Sequence, residues 1–163
     1  YDAVVVAVHA DDALALLADP TDDEREVLGA FRYTGNETVL HTDSSLLPGT
    51  TRARASWNYL VDTRGDDRPP VVTYWMNRLQ RLSSGTDYLV TLGARDLVDP
   101  ASVLAVMDYR HPIYDPASVA AQRRLPSLAT STTVYAGAYH GWGFHEDGCR
   151  SGAEAAAALG VIW

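Results

Sequence analysis

The apolar positions of the chain change period several times, and each change predicts an element. Residues 2 to 8 (DAVVVAV) read as a strand whose run from Ala3 to Val8 is continuously apolar, the pattern of burial on both faces. After His9-Ala10-Asp11-Asp12, the spacing of Ala13, Leu14, Leu16 and Leu17 predicts a short helix with acidic residues at its positive end, stopped by Asp19-Pro20. Thr21 and Glu24 have capping-box spacing for a second helix, whose Val27, Leu28 and Phe31 share a face. From Tyr33 to Asp43 the pattern is that of a strand, followed by a polar loop at Leu47-Pro48-Gly49-Thr50. Ala55 to Val61 and Val71 to Met76 predict a hairpin around DTRGDDRPP (62–70), whose Gly, Asp and Pro content marks an exposed connection.

Asn77 to Leu82 reads as a short helix, and Asp87 to Leu92 and Val103 to Arg110 as two more strands, the last ending at His111-Pro112. Asp115 stands as an N-cap ahead of Pro116, and the helix it opens runs to about Arg124, before Pro126. A short strand at Thr133 to Ala136, a glycine-rich turn at Gly137 to Gly143 and an Ala-rich helix from Glu146 to Leu159 follow. This order predicts an α/β protein of α+β character: a mixed, mainly antiparallel sheet with flanking helices. There is no internal repeat and no low-complexity tract.

Length and composition restrict the function. The 163 residues suit one domain, and an opening inside a buried strand, without Met, leads to the expectation of a piece of a longer chain. A net charge of −8 disfavours nucleic acid and anionic membrane surfaces as partners. No apolar run is long enough to span a membrane, no charged-then-apolar leader is present, and the single Cys149 permits no internal disulfide, so the expected location is the cytoplasm. The basic residues are all Arg, with no Lys, which excludes a Schiff base, a lysine general base and a phosphate-loop lysine from this chain.

The densest chemistry lies in YAGAYHGWGFHEDGCRSG, residues 135 to 152. A strand runs through Gly137, Gly141 and Gly143 into a helix start, where backbone N–H groups and the helix dipole favour an electron-rich ligand. Gly148 and Gly152 lie one turn apart, each costing about 1 kcal/mol relative to Ala inside a helix. They point either to a flat group close to that face or to tight packing on the sheet. His140, His145, Glu146 and Asp147, with His9 and His111 available from elsewhere, lack H-E-x-x-H or comparable spacing, and no metal site is assigned. No G-x-S-x-G elbow is present, and the adjacent acidic pairs Asp11-Asp12, Asp22-Asp23 and Asp66-Asp67 read as caps and solvated surface. Trp57 and Tyr59 fall on one face of the hairpin with Tyr74 opposite, either as a wall for an apolar substrate or as sheet-to-helix core. Arg52, Arg54 and Arg78 beside them are candidates for recognising an anionic substrate group or for solvated surface.

Residues 135 to 152 resemble the C-terminal flavin-contacting motif of the flavin-containing amine oxidase and phytoene-desaturase-like superfamily. Within it the chain is most similar to the bacterial predicted NAD/FAD-binding oxidoreductases. VVVAVHADDALALL resembles the strand and helix that re-enter from the cofactor domain, and DYRHPIYDPASVAAQRRLPSL the segment before the last strand. The resemblance implies the C-terminal part of an FAD-dependent oxidoreductase, with residues 1–18 and 133–163 belonging to the FAD-binding domain and 19–132 to a substrate-domain-like region. By position, Ala136, Gly137, Ala138 and Tyr139 would lie near the pyrophosphate and ribityl chain, and Gly143, Phe144, His145 and Glu146 near the isoalloxazine. The G-x-G-x-x-G unit that holds the ADP half of FAD is absent from this sequence, so the missing N-terminal half is an implied partner. The piece alone would then bind little or no FAD and be inactive. Tyr139 replaces the family's acidic residue, and Gly35-Asn36-Glu37-Thr38-Val39 stands where a lysine-bearing strand is found. Without lysine, desaturation, saturation or isomerisation of an apolar small molecule fits better than amine oxidation. Self-association through strand edges left open is expected too. The alternative is a stand-alone α/β binding or interaction domain that uses no flavin.

Overall fold

The computed structural model describes residues 1–61 and 69–161. In chain order its elements are β1 (Val4–Val6), α1 (Ala10–Leu16), α2 (Asp22–Gly29), β2 (Arg32–His41), β3 (Trp57–Leu60), β4 (Val71–Trp75), α3 (Met76–Leu79), β5 (Leu89–Leu92), β6 (Val103–Ile113), α4 (Pro116–Gln122), β7 (Thr133–Tyr135) and α5 (His145–Ala158). The mixed α+β class agrees with the sequence pattern. Most of the expected connection at 62–70 lies outside the described residues. The chain divides into two compact units, one of residues 1–34 and 111–163, the other of 35–110. The first unit joins the two terminal segments, with borders inward of 18 and 132, because α2 packs against both α1 and α4.

The first unit is built on caps and a small apolar core. Thr21 accepts from the Glu24 N–H at 3.2 Å while the Glu24 carboxylate accepts from the Thr21 N–H at 2.8 Å, closing the expected capping box of α2. The other Glu24 oxygen accepts from the Tyr135 hydroxyl at 2.6 Å, which ties the helix start to β7. Asp115 and Ser118 form the same reciprocal pair at α4, with Pro116 in its first turn. That helix ends at Gln122, just short of the expected Arg124, and a 3-10 turn at Leu125–Leu128 takes over where Pro126 lacks an N–H. Ala10, Ala13, Val27, Leu28, Phe31, Leu125 and Tyr139 form the core.

β1 departs from expectation. It pairs in parallel with β7 alone, Val5 opposite Val134, and is three residues long. Val4 and Val5 are 49% and 43% exposed, so the strand is not buried on both faces. An apolar run describes what a strand can bury; among the described residues β1 has β7 as its sheet neighbour, and only Val6 packs against the core.

The second unit holds a five-stranded antiparallel sheet of order β3-β4-β5-β2-β6. β6 continues past Arg110 through His111-Pro112 to Ile113. Its position at the sheet edge explains this, since proline is tolerated where no neighbouring strand needs its N–H. The register places Trp57 opposite Tyr74 and Val90 opposite Leu40, and Asn58, Thr73 and Thr91 in line on the other face. That second face is the buried one. His41 Nε2 meets Thr91 Oγ1 at 2.8 Å, Thr91 shares a 2.8 Å hydrogen bond with Thr73, and Asn58 is fixed by Ala55. Polar side chains can fill this core because each has a partner. Trp57 and Tyr59 are 54% and 65% exposed, so the core reading fails for both.

Candidate functional site

The turn between β7 and α5 is assembled from atoms that leave no room for alternatives. The Ala136 N–H donates to the Val6 carbonyl at 3.0 Å, and the Gly137 N–H to Ser151 Oγ at 2.9 Å. A Cβ on Gly137 would overlap the Tyr139 ring, and one on Gly141 the Asp147 carboxylate. Gly143 has φ +86°, a left-handed conformation that favours glycine, with the Tyr114 hydroxyl 3.0 Å from where its Cβ would stand. The Gln122 amide donates to the carbonyls of Tyr139 and Gly141, fixing the turn from α4.

Asp147 organises the helix start. Its carboxylate accepts from the N–H groups of Trp142 at 2.9 Å and Phe144 at 3.1 Å and pairs with Arg150 at 2.6 Å. The Phe144 N–H, Arg150 and the Trp142 N–H hold its pKa below the usual carboxylate value, against the opposing effect of burial. The electron-rich group at this helix end is therefore the chain's own carboxylate. Gly148 would place a Cβ in ordinary contact with Ala138, and Gly152 faces open space, so neither is explained by tight packing on the sheet.

Among the described residues, the buried hydroxyls of Tyr114 and Tyr139 and His140 Nε2 have no hydrogen-bond partner. Burial raises the pKa of both phenols and lowers that of the imidazole. At neutral pH the phenols are O–H donors and the imidazole is uncharged. Because an unpartnered buried hydroxyl is costly, Tyr139→Phe is expected to stabilise the protein by about 1 kcal/mol. Urea unfolding checks this; a loss of stability would mean that the hydroxyl has a partner.

The expected cofactor residues separate by exposure. Ala136 and Tyr139 are buried, Tyr139 edge-on to Phe31 with ring centroids 5.2 Å apart, so its side chain serves the core. Gly137 and Ala138 are half-buried, while Gly143, Phe144, His145 and Glu146 are exposed together at the start of α5, beside Trp142. Tyr114, Gln122, Gly141, Asp147 and Ser151 were not among the expected site residues. Asp147 is legible in sequence as the third residue of the helix, where a carboxylate caps. The others meet the turn only through tertiary packing.

The hairpin aromatics lie in the second unit, Trp57 and Tyr74 edge-on at 5.7 Å. Arg54 is occupied by the Pro48 carbonyl and Asp87, and Arg78 donates to the Arg54 carbonyl, so both serve the loop rather than a ligand. Among the described residues, His9, Asp11 and Asp12 could bring one ligand atom each within 4.8 Å of the others. They sit at the start of a seven-residue helix, where acidic groups stabilise the dipole without an ion. Among the described residues no helix is long and apolar enough to cross a membrane. Comparison of the sequence with family models and with curated proteins finds no match.

Proposed function

We propose that this chain is the C-terminal part of an FAD-dependent oxidoreductase acting on an apolar small molecule, and that the turn at 136–146 forms one wall of its flavin site. The observation that carries this reading is the buried, partnerless Tyr114 hydroxyl beside Gly143, at a turn closed to side chains at Gly137 and Gly141. A hydroxyl donor there fits a ligand with oxygen and ring-nitrogen acceptors, which a flavin offers. The backbone of Ala136 to Ala138 would face the pyrophosphate and ribityl chain, and Gly143 to Glu146 the ring system. When bound, FAD would supply the redox chemistry, with the residues of the turn holding it. The chain's own part is positional: Tyr114 can donate a hydrogen bond, and exposed Trp142 and Phe144 can exclude water. Within the second unit, the exposed Trp57 and Tyr59, with Tyr74 edge-on to Trp57, form a candidate apolar contact face. The absence of lysine favours carbon over amine oxidation.

Two partners follow from the same reading. An N-terminal FAD-binding half would supply the ADP site, and exposed Val4 and Val5 on the open β1–β7 pair would meet its sheet or, in its absence, a second copy. FAD titrated into residues 1–163 should give a dissociation constant above about 0.1 mM and no flavin absorbance after gel filtration. The whole protein encoded by the gene should elute yellow, and Phe144→Asp, at an exposed position beside the proposed ring site, should reduce its flavin content about tenfold while leaving it folded. A whole protein without flavin would sink the proposal in favour of a flavin-free binding domain.

A further inference from the structure

The two edge strands of the five-stranded sheet differ in length. β3 has four residues, whereas β6 runs unbroken over eleven, with β2 as its sheet neighbour among the described residues. The Thr42 N–H, one residue past β2, donates to the carbonyl of Ser102, one residue ahead of β6, at 3.1 Å. Along an antiparallel ladder, residues that turn their N–H and C=O toward the neighbour alternate with residues that turn them away. Ser102 therefore sets the parity of the strand. Asp108 and Arg110 direct their backbone groups at β2, and Ala105, Met107 and Tyr109 direct theirs at the outer edge.

A long outer edge is a template for another strand, and the side chains along it select which one. Asp108, Tyr109 and Arg110 are exposed, Tyr109 by 52%. Antiparallel pairing with β6 of a second copy, about a twofold axis at Tyr109, makes the two Tyr109 residues a hydrogen-bonded pair, with Met107 opposite His111 on either side. In that register Asp108 of each copy stands directly opposite Arg110 of the other, in the closer, non-hydrogen-bonded kind of pair. The match occurs twice by symmetry. Val106 meets Pro112 in the same kind of pair, where the seam asks for no N–H. Moving the axis to Asp108 or to Arg110 sets like charges face to face, and moving it to Met107 sets both charges opposite apolar residues. The charge order along β6 is thus complementary to itself in one register.

We propose that this protein forms a twofold dimer through β6, joining two five-stranded sheets into one continuous sheet, with Asp108–Arg110 ion pairs on both sides of the Tyr109 axis. The dimer uses neither a flavin nor β1, so it stands apart from any association through Val4 and Val5.

Sedimentation velocity of the 163-residue protein from about 5 to about 500 μM, in about 0.15 M salt to screen its net charge of −8, should show a monomer–dimer equilibrium. Arg110→Asp and Asp108→Arg each place like charges across the seam, and each should weaken the dimer at least about tenfold with the circular dichroism spectrum unchanged. The double variant Asp108→Arg/Arg110→Asp restores the match in reverse order and should return the dimer. Tyr109→Pro removes the central N–H from both copies and should be monomeric, whereas Val5→Asp on β1 should dimerise like the parent. A monomer at every concentration, single reversals that dimerise as the parent does, a double variant no stronger than the singles, a dimeric Tyr109→Pro or a monomeric Val5→Asp would each overturn the proposal.

Discussion

Replacing Gly141 by alanine is expected to lower the midpoint of thermal unfolding by about 5–10 °C, one of the two largest effects predicted for this protein. The reason is local and steric. The added Cβ would stand inside the Asp147 carboxylate, which accepts from the Trp142 and Phe144 N–H groups and pairs with Arg150. Moving that carboxylate uncaps α5 and releases the turn that carries the candidate site. Gly152→Ala is the matched control. It lies on the same helix with open space around its Cβ position, so the gain in helix propensity should raise stability by up to about 1 kcal/mol. If both variants unfold at the same temperature as the parent, Asp147 does not hold the helix start.

The second large effect is with acid. His41 is fully buried, and its Nδ1 accepts from the Asp43 N–H at 3.2 Å, so Nε2 carries the proton donated to Thr91. A second proton would have to sit on Nδ1, against an N–H. Burial lowers the folded-state pKa, only partly offset by the Asp43 charge, and burial does the same at His140. The unfolded chain therefore takes up protons more readily near the ordinary histidine value of 6.5. The stability these groups contribute is present above that value and is lost as pH falls through the folded-state pKa, with a slope of at most about 1.4 kcal/mol per pH unit for each histidine. Carboxylates with lowered pKa, Glu24, Asp43 and Asp147 among them, add their losses only at lower pH, below their ordinary values of 4.5 and 3.8. Urea unfolding between pH 7.5 and 5 should thus show falling stability, with a shallower slope in His41→Gln and a flat profile once His140→Gln is added. A double variant as steep as the parent would remove both histidines from the explanation.

The local signals were read from residues a few positions apart, and there the structure follows the sequence. Thr21 with Glu24 and Asp115 ahead of Pro116 close the caps their spacing implies, and the hairpin register sets Trp57 against Tyr74. Such features depend on backbone groups within one turn or across one strand pair. The candidate site was half legible. Its glycines and helix start are visible in the sequence, whereas Tyr114 and Gln122 come to the turn from another part of the chain. Asp147 at the helix start is present in the pattern as a capping position, but only its partners Trp142, Phe144 and Arg150 reveal that it also closes the turn.

The sequence by itself determined the element order, the α+β class, the caps and the exclusion of lysine chemistry, because each is set by residue identity or short-range geometry. Tertiary structure alone decided which face of each strand is covered. The apolar run of β1 has one neighbour and stays half-open, while the buried face of the five-stranded sheet sets Asn58, Thr73, Thr91 and His41 among Val39, Val71 and Leu89. Burial depends on what packs over a strand and whether its polar groups find partners, and neither is encoded in the alternation of that strand alone.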